Sequence, residues 1–88
     1  MSVNYYSIIL KPLVTENTFD LIEDHNKLVF IVERKANKFQ IKEAIEKLYD
    51  VKVVKINTLI HSNGNKKAFV KLHPNNSAAD LAIKLGIF

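Results

Sequence analysis

Eighty-eight residues fit one small domain. A chain this short buries only about 60–65% of its unfolded surface, so its core is a single layer of contacts. The apolar fraction of 48% suffices for that core, and the absence of cysteine excludes disulfides, a thiol nucleophile and thiolate metal ligands. The net charge is +4 and unevenly spread. Residues 1–24 set Lys11 against Glu16, Asp20, Glu23 and Asp24, whereas the remainder carries the other basic residues against only Glu33, Glu43, Glu46, Asp50 and Asp80. An acidic start joined to a basic remainder suggests two surfaces with different partners. No apolar run approaches the ~20 residues of a membrane helix, and the N-terminus lacks the pattern of a signal peptide. The expected location is therefore cytoplasmic, without direct membrane insertion. A single domain over 1–88 is expected, with residues 1–6 flexible.

Ser7–Leu10 is a short β-prone run that should stop at Lys11-Pro12, because proline cannot donate to a sheet ladder. Thr15 can then cap a helix through about Asp24, with Glu16 at the positive end of the dipole and Phe19 and Ile22 facing inward. Leu28–Arg34 reads as a strand. Both of its alternating sets are apolar at the centre, which places it inside a sheet. Asn37 and Gln40 have capping-box spacing. Ile41, Ala44, Ile45, Leu48 and Tyr49 follow as one helical stripe, with Lys38, Lys42, Glu43, Glu46 and Lys47 off it.

Val51–Ile60 is the longest predicted strand, with Val54, Ile56, Thr58 and Ile60 on one face and Val53, Lys55, Asn57 and Leu59 on the other. Asn63-Gly64 predicts a hairpin. The return strand Lys67–Leu72 should turn Ala68, Val70 and Leu72 to the core and Lys67, Phe69 and Lys71 away. Ser77 and Asp80 form a second capping pattern before a helix over Ala79, Leu81, Ala82 and Leu85. Gly86 is a left-handed stop after which Ile87 and Phe88 can fold back. The terminal hairpin and small size favour α+β: a plait-like domain with a mainly antiparallel sheet and packed helices.

Little here suits catalysis. His25, His61 and His73 lack metal-ligand spacing. No nucleophile elbow, phosphate-cradling glycine loop or paired acids are present. Gly64 and Gly86 are both explained by turns, so neither metal nor cofactor is expected and the chain does not read as an enzyme. The basic residues instead fall into three groups: Lys11 beside the first helix; Arg34, Lys35, Lys38 and Lys42 around the second; and Lys66, Lys67 and Lys71 around Phe69. Lysines on connections and strand faces suit a polyanion, RNA first. Phe69 can stack on an unpaired base or cover apolar strand surface. Asn57 can bond toward RNA, and Thr58 also suits a strand for its own sake.

On these residues the chain resembles the universal large-subunit ribosomal protein family numbered twenty-three, in its archaeal-like branch. The matching stretches are Lys11–Thr18, Asn26–Phe30, Ala36–Glu46, Val54–Thr58 and Lys66–Leu72, in the family's order and spacing. The resemblance implies a four-stranded, mainly antiparallel sheet and a structural role in the large subunit, bound to ribosomal RNA near the mouth of the peptide exit tunnel. It implies RNA contacts at Lys11, Pro12, Thr15, Lys35, Lys38, Lys42, Asn57 and Thr58. The remaining basic residues, Arg34, Lys66, Lys67 and Lys71, join this set with Phe69. Neighbouring large-subunit proteins are implied partners. Glu16, with Asp20 on the same acidic helix, is the implied docking point for signal recognition particle or other exit-site factors; Glu16 also suits its own helix dipole.

Two departures stand out. Asn17 replaces a common lysine. Only about Ser62–Lys66 joins the last two strands, too short for the tunnel-reaching loop of the bacterial branch. A regulatory ligand-binding domain of similar plait is the alternative, although it would want glycine-containing turns that this chain lacks.

Overall fold

The computed structural model describes residues 5–87. A 3-10 turn at Tyr5–Ser7 leads into β1 (Ile9–Pro12), α1 (Glu16–His25), β2 (Lys27–Val32), α2 (Lys38–Tyr49), β3 (Val53–Ile60), β4 (Lys66–Leu72) and α3 (Ala78–Lys84). The four strands form one sheet in the order β1-β2-β4-β3, and every neighbouring pair is antiparallel. The expected α+β architecture is thus the observed one. The expectations for residues 1–4 and for Phe88 lie outside the described residues.

Local chemistry sets the helix limits. Thr15 accepts the Thr18 N–H through its hydroxyl (3.3 Å) while Thr18 Oγ1 accepts the Thr15 N–H (2.7 Å). Asn37 and Gln40 do the same at the start of α2, at 2.8 and 2.9 Å. Each pair satisfies backbone donors that the first helical turn leaves open. Ser77 accepts the Asp80 N–H at 3.2 Å. At the end of α3, Gly86 has a φ of 76°. There the Gly86 N–H donates to Ile83 O (3.0 Å) and the Ile87 N–H to Ala82 O (3.1 Å). This is the paired closure of a Schellman motif, and Ile87 packs back on the core as expected.

All three helices lie on one face of the sheet. Ile22 of α1, Ile41, Ala44 and Ile45 of α2, and Ala78, Leu81 and Ala82 of α3 share one core with Leu28, Phe30, Val32, Val53, Ile56, Ala68, Val70 and Leu72 of the strands. Phe30 is fully buried and stacks on Tyr49 (5.9 Å between centroids, 17° between planes). Desolvation, and then the neighbouring Tyr6, raise the Tyr49 phenol above its ordinary range.

Four expectations need correction. The first strand does not span Ser7–Leu10: Ser7 closes the 3-10 turn, and β1 runs on to Pro12. Pro12 is tolerated because β1 is an edge strand. Leu13 N–H donates to Val29 O (2.9 Å), so the preceding backbone nitrogen points to the free edge and lacks nothing. The second strand stops at Val32 rather than Arg34, because Glu33 turns the chain, its carbonyl accepting the Ala36 N–H (3.1 Å) and its carboxylate the Lys35 N–H (2.7 Å).

Phe19 does not face inward with Ile22. It is 38% exposed, and the inward row of α1 is Thr18 and Ile22. Finally, Val53 and not Val54 faces the core, because a bulge shifts the register between Val53 and Lys55. The extra residue reverses the alternation on one side of it.

Candidate nucleic-acid interface

The face of the sheet away from the helices is built by register. Lys11 lies opposite Ile31, Ile31 opposite Lys67, and Lys67 opposite Leu59. One row along, Leu13 bonds to Val29, which lies opposite Phe69, itself opposite Asn57. A third row holds Lys27, Lys71 and Lys55 on three adjacent strands. The face therefore has an apolar middle ending in Asn57 and Leu59 on β3, with lysines across it and along one end. Val29 and Ile31 are buried although they belong to this open side; Val29 borders a groove with Leu13, Leu21 and Phe69, and Ile31 one with Lys11, Leu13 and Lys67.

Two grooves run off this face. One, of about 310 Å³, lies between the start of α1 and the sheet, lined by Leu13, Thr15, Thr18, Leu21, Val29 and Phe69 among others. The second, of about 210 Å³, runs beside the β3–β4 hairpin between Lys11, Ile31, Asn63, Asn65 and Lys67. The hairpin is closed by His61 and Asn65 (2.8 Å), with Gly64 at a φ of 90° that its neighbour Asn63 supports by accepting the Asn65 N–H (3.0 Å).

The sequence-predicted residues divide among three places. Lys11, Asn57, Lys67, Phe69 and Lys71 meet on the open face, with Thr15 at its rim. Arg34, Lys35, Lys38 and Lys42 form a separate exposed patch on the turn before α2 and its first turns. Pro12, Thr58 and Lys66 belong to the helix side, since they pair with Phe30, Ala68 and Val32 respectively. The Lys66 ammonium donates to the carbonyls of Ala36 and Arg34, tying the hairpin to the basic turn. Lys66 thus fixes the hairpin end of β4 to the turn before α2, whereas Lys27, Lys71 and Lys55 lie at the other end of the same strands.

Glu16 and Asp20 lie one turn apart on α1. With Glu23 and Asp24 they form an exposed acidic stripe opposite buried Thr18 and Ile22. Sequence reasoning missed Lys27 and Lys55 as site residues and missed Leu13, Val29 and Ile31 as the floor. Period-two alternation in β2 separates Lys27, Val29 and Ile31 from Leu28, Phe30 and Val32, but only the pairing register says which set meets Phe69.

Fold and face together define a class: a small α+β plait with helices on one side of its sheet and an open, basic second side. The family model described as ribosomal protein L23 matches residues 7–79. The chain is 52% identical over 83 residues to the large ribosomal subunit protein uL23 of Methanobrevibacter smithii, covering 94% of this chain and 96% of that one. It is 57% identical over 81 residues to the large ribosomal subunit protein uL23A of Schizosaccharomyces pombe, covering 92% of this chain and 57% of the relative. The chain belongs to the ribosomal protein L23 family. It is accordingly a structural, non-enzymatic constituent of the large ribosomal subunit, and the reading as a ligand-sensing regulatory domain is set aside.

Proposed function

We propose that the open sheet face and the basic turn before α2 bind large-subunit ribosomal RNA near the mouth of the peptide exit tunnel. The acidic stripe of α1 then remains turned outward for factors that meet the emerging chain, signal recognition particle among them. The observation that carries the RNA reading is the row Lys27–Lys71–Lys55. Like charges directly opposite one another on neighbouring strands oppose folding, and a phosphate backbone laid across the row relieves that repulsion. Phe69, one row away beside Asn57, offers a ring and an amide to an unpaired base. Backbone contacts would fix position, and the aromatic and amide contacts would refine it.

Lys71→Gln tests this by opposite signs. The free protein should gain a few tenths of a kcal/mol in stability, since the central charge of the row is gone. Affinity for purified large-subunit RNA should fall severalfold, with a shallower salt dependence. Unchanged RNA affinity with raised stability would remove this face from the interface.

A further inference from the structure

Phe39 occupies the first turn of α2 and is 84% exposed, and among the described residues no large apolar side chain is more so. The fold makes no use of its ring. The helix start is already closed by the reciprocal Asn37–Gln40 pair, and the apolar contact that steadies such a start comes from buried Ala36 and Ile41. Phenylalanine is also a weaker helix former than alanine, and this position near the positive end of the dipole would favour an acid. A ring held in water at a position that prefers other residues calls for a partner.

Its surroundings indicate which partner. Arg34, Lys35, Lys38 and Lys42 are exposed around it. Glu33 and Glu43, which flank this stretch in sequence, each accept a donor: Glu33 takes the Lys35 N–H at 2.7 Å and Glu43 takes the Tyr5 hydroxyl at 3.3 Å. Desolvation first, and then Glu43, hold the Tyr5 phenol above its ordinary range. An aromatic ring among exposed cations matches single-stranded nucleic acid, in which a base stacks while neighbouring phosphates meet the cations. The face of a duplex would offer the ring nothing to stack on.

We infer that Phe39 is a base-stacking residue: an unpaired nucleotide of the bound RNA lies on its ring, with Lys38 and Lys42 on the flanking phosphates. The inference rests on the RNA reading above but concerns a different surface from the sheet face. The chain contains no tryptophan, so Phe39→Trp introduces a single indole reporter at this position.

The experiment titrates wild type, Phe39→Ala and Phe39→Trp with purified, protein-free large-subunit RNA at several salt concentrations. Phe39→Ala should bind roughly five- to a hundredfold more weakly with an unchanged salt slope, because stacking releases no counterions. Phe39→Trp should bind like wild type, and RNA should quench its fluorescence. Neither variant should melt below the wild-type temperature, and Phe39→Ala should melt slightly above it. If wild type binds with a steep salt slope while Phe39→Ala binds equally well, or if the indole is not quenched at saturation, stacking is wrong and the RNA reading survives. If wild type does not bind RNA, both fail. If Phe39→Ala binds RNA normally but is lost from reconstituted subunits, the ring packs on a neighbouring protein and the inference is overturned.

Discussion

Two phenylalanines on the two sides of one sheet show how position decides what a side chain contributes. Phe30 is fully buried against Tyr49 and the helices, so Phe30→Ala opens a cavity and should cost about 3–5 kcal/mol. Phe69 is half-buried on the open side, beside Val29 and Asn57. Its truncation should cost only about 1 kcal/mol, because little of its contact surface is sealed from water. Urea unfolding of both variants checks the contrast, and a loss near 3 kcal/mol at Phe69 would make that residue a core component. Asn57 and Thr58 divide in the same way: adjacent in sequence, they stand on opposite sides of β3, so a role inferred for the dipeptide as a unit splits in two.

At the scale of elements, one side chain joins three of them. Asn26 ends α1 in the left-handed conformation, with a φ of 54°. Its amide donates to the carbonyls of Leu72 (3.2 Å), His73 (3.4 Å) and Asn76 (2.9 Å), and its oxygen accepts the Ala78 N–H that opens α3 (2.7 Å). Asn26→Ala loses these bonds and places an ordinary residue in left-handed backbone, so it should cost about 2–4 kcal/mol. Asn26→Gly should recover only the backbone part, and denaturant midpoints of the two variants separate the contributions. Equal stability of both with wild type would show that the loop from β4 to α3 is held by other contacts.

What the sequence makes legible follows from this. The starts of α1, α2 and α3 and the stop at Gly86 are encoded within four residues of themselves, so Thr15, Asn37, Ser77 and Gly86 could be read directly. The bonds of Asn26 span about 50 positions and the bulges at β1 and β3 depend on a partner strand, so neither leaves a local pattern. The site was half-legible for the same reason. Lys67, Phe69 and Lys71 alternate visibly on one strand, whereas the row through Lys27 and Lys55 exists only once three strands are aligned.

For the whole molecule, charge is sorted by side. The acids of residues 16, 20, 23 and 24 lie exposed along one helix, while lysines occupy the open sheet face and the turn before α2. Binding to large-subunit RNA should show log K falling against log salt with a slope of about −3 to −6, for several released counterions. A salt-independent affinity would contradict this electrostatic reading. Glu16→Lys should weaken recruitment of signal recognition particle or other exit-site factors to isolated ribosomes while leaving the protein in the subunit. If recruitment is unaltered, Glu16 only favours its own helix start, an effect of about 0.3–1 kcal/mol.

The strand order also governs how such a chain can be made. β4 comes last of the four in sequence yet lies between β2 and β3. Until residues 66–72 have been synthesised, β2 has no partner on that side, and Leu28, Phe30 and Val32 lack the strand that completes their core. Before then β2 and β3 share no ladder, and only α2 and the common core join them. Completion of the sheet therefore waits on the final quarter of the chain. The sheet is thus closed from its middle, by the last of its strands to be made.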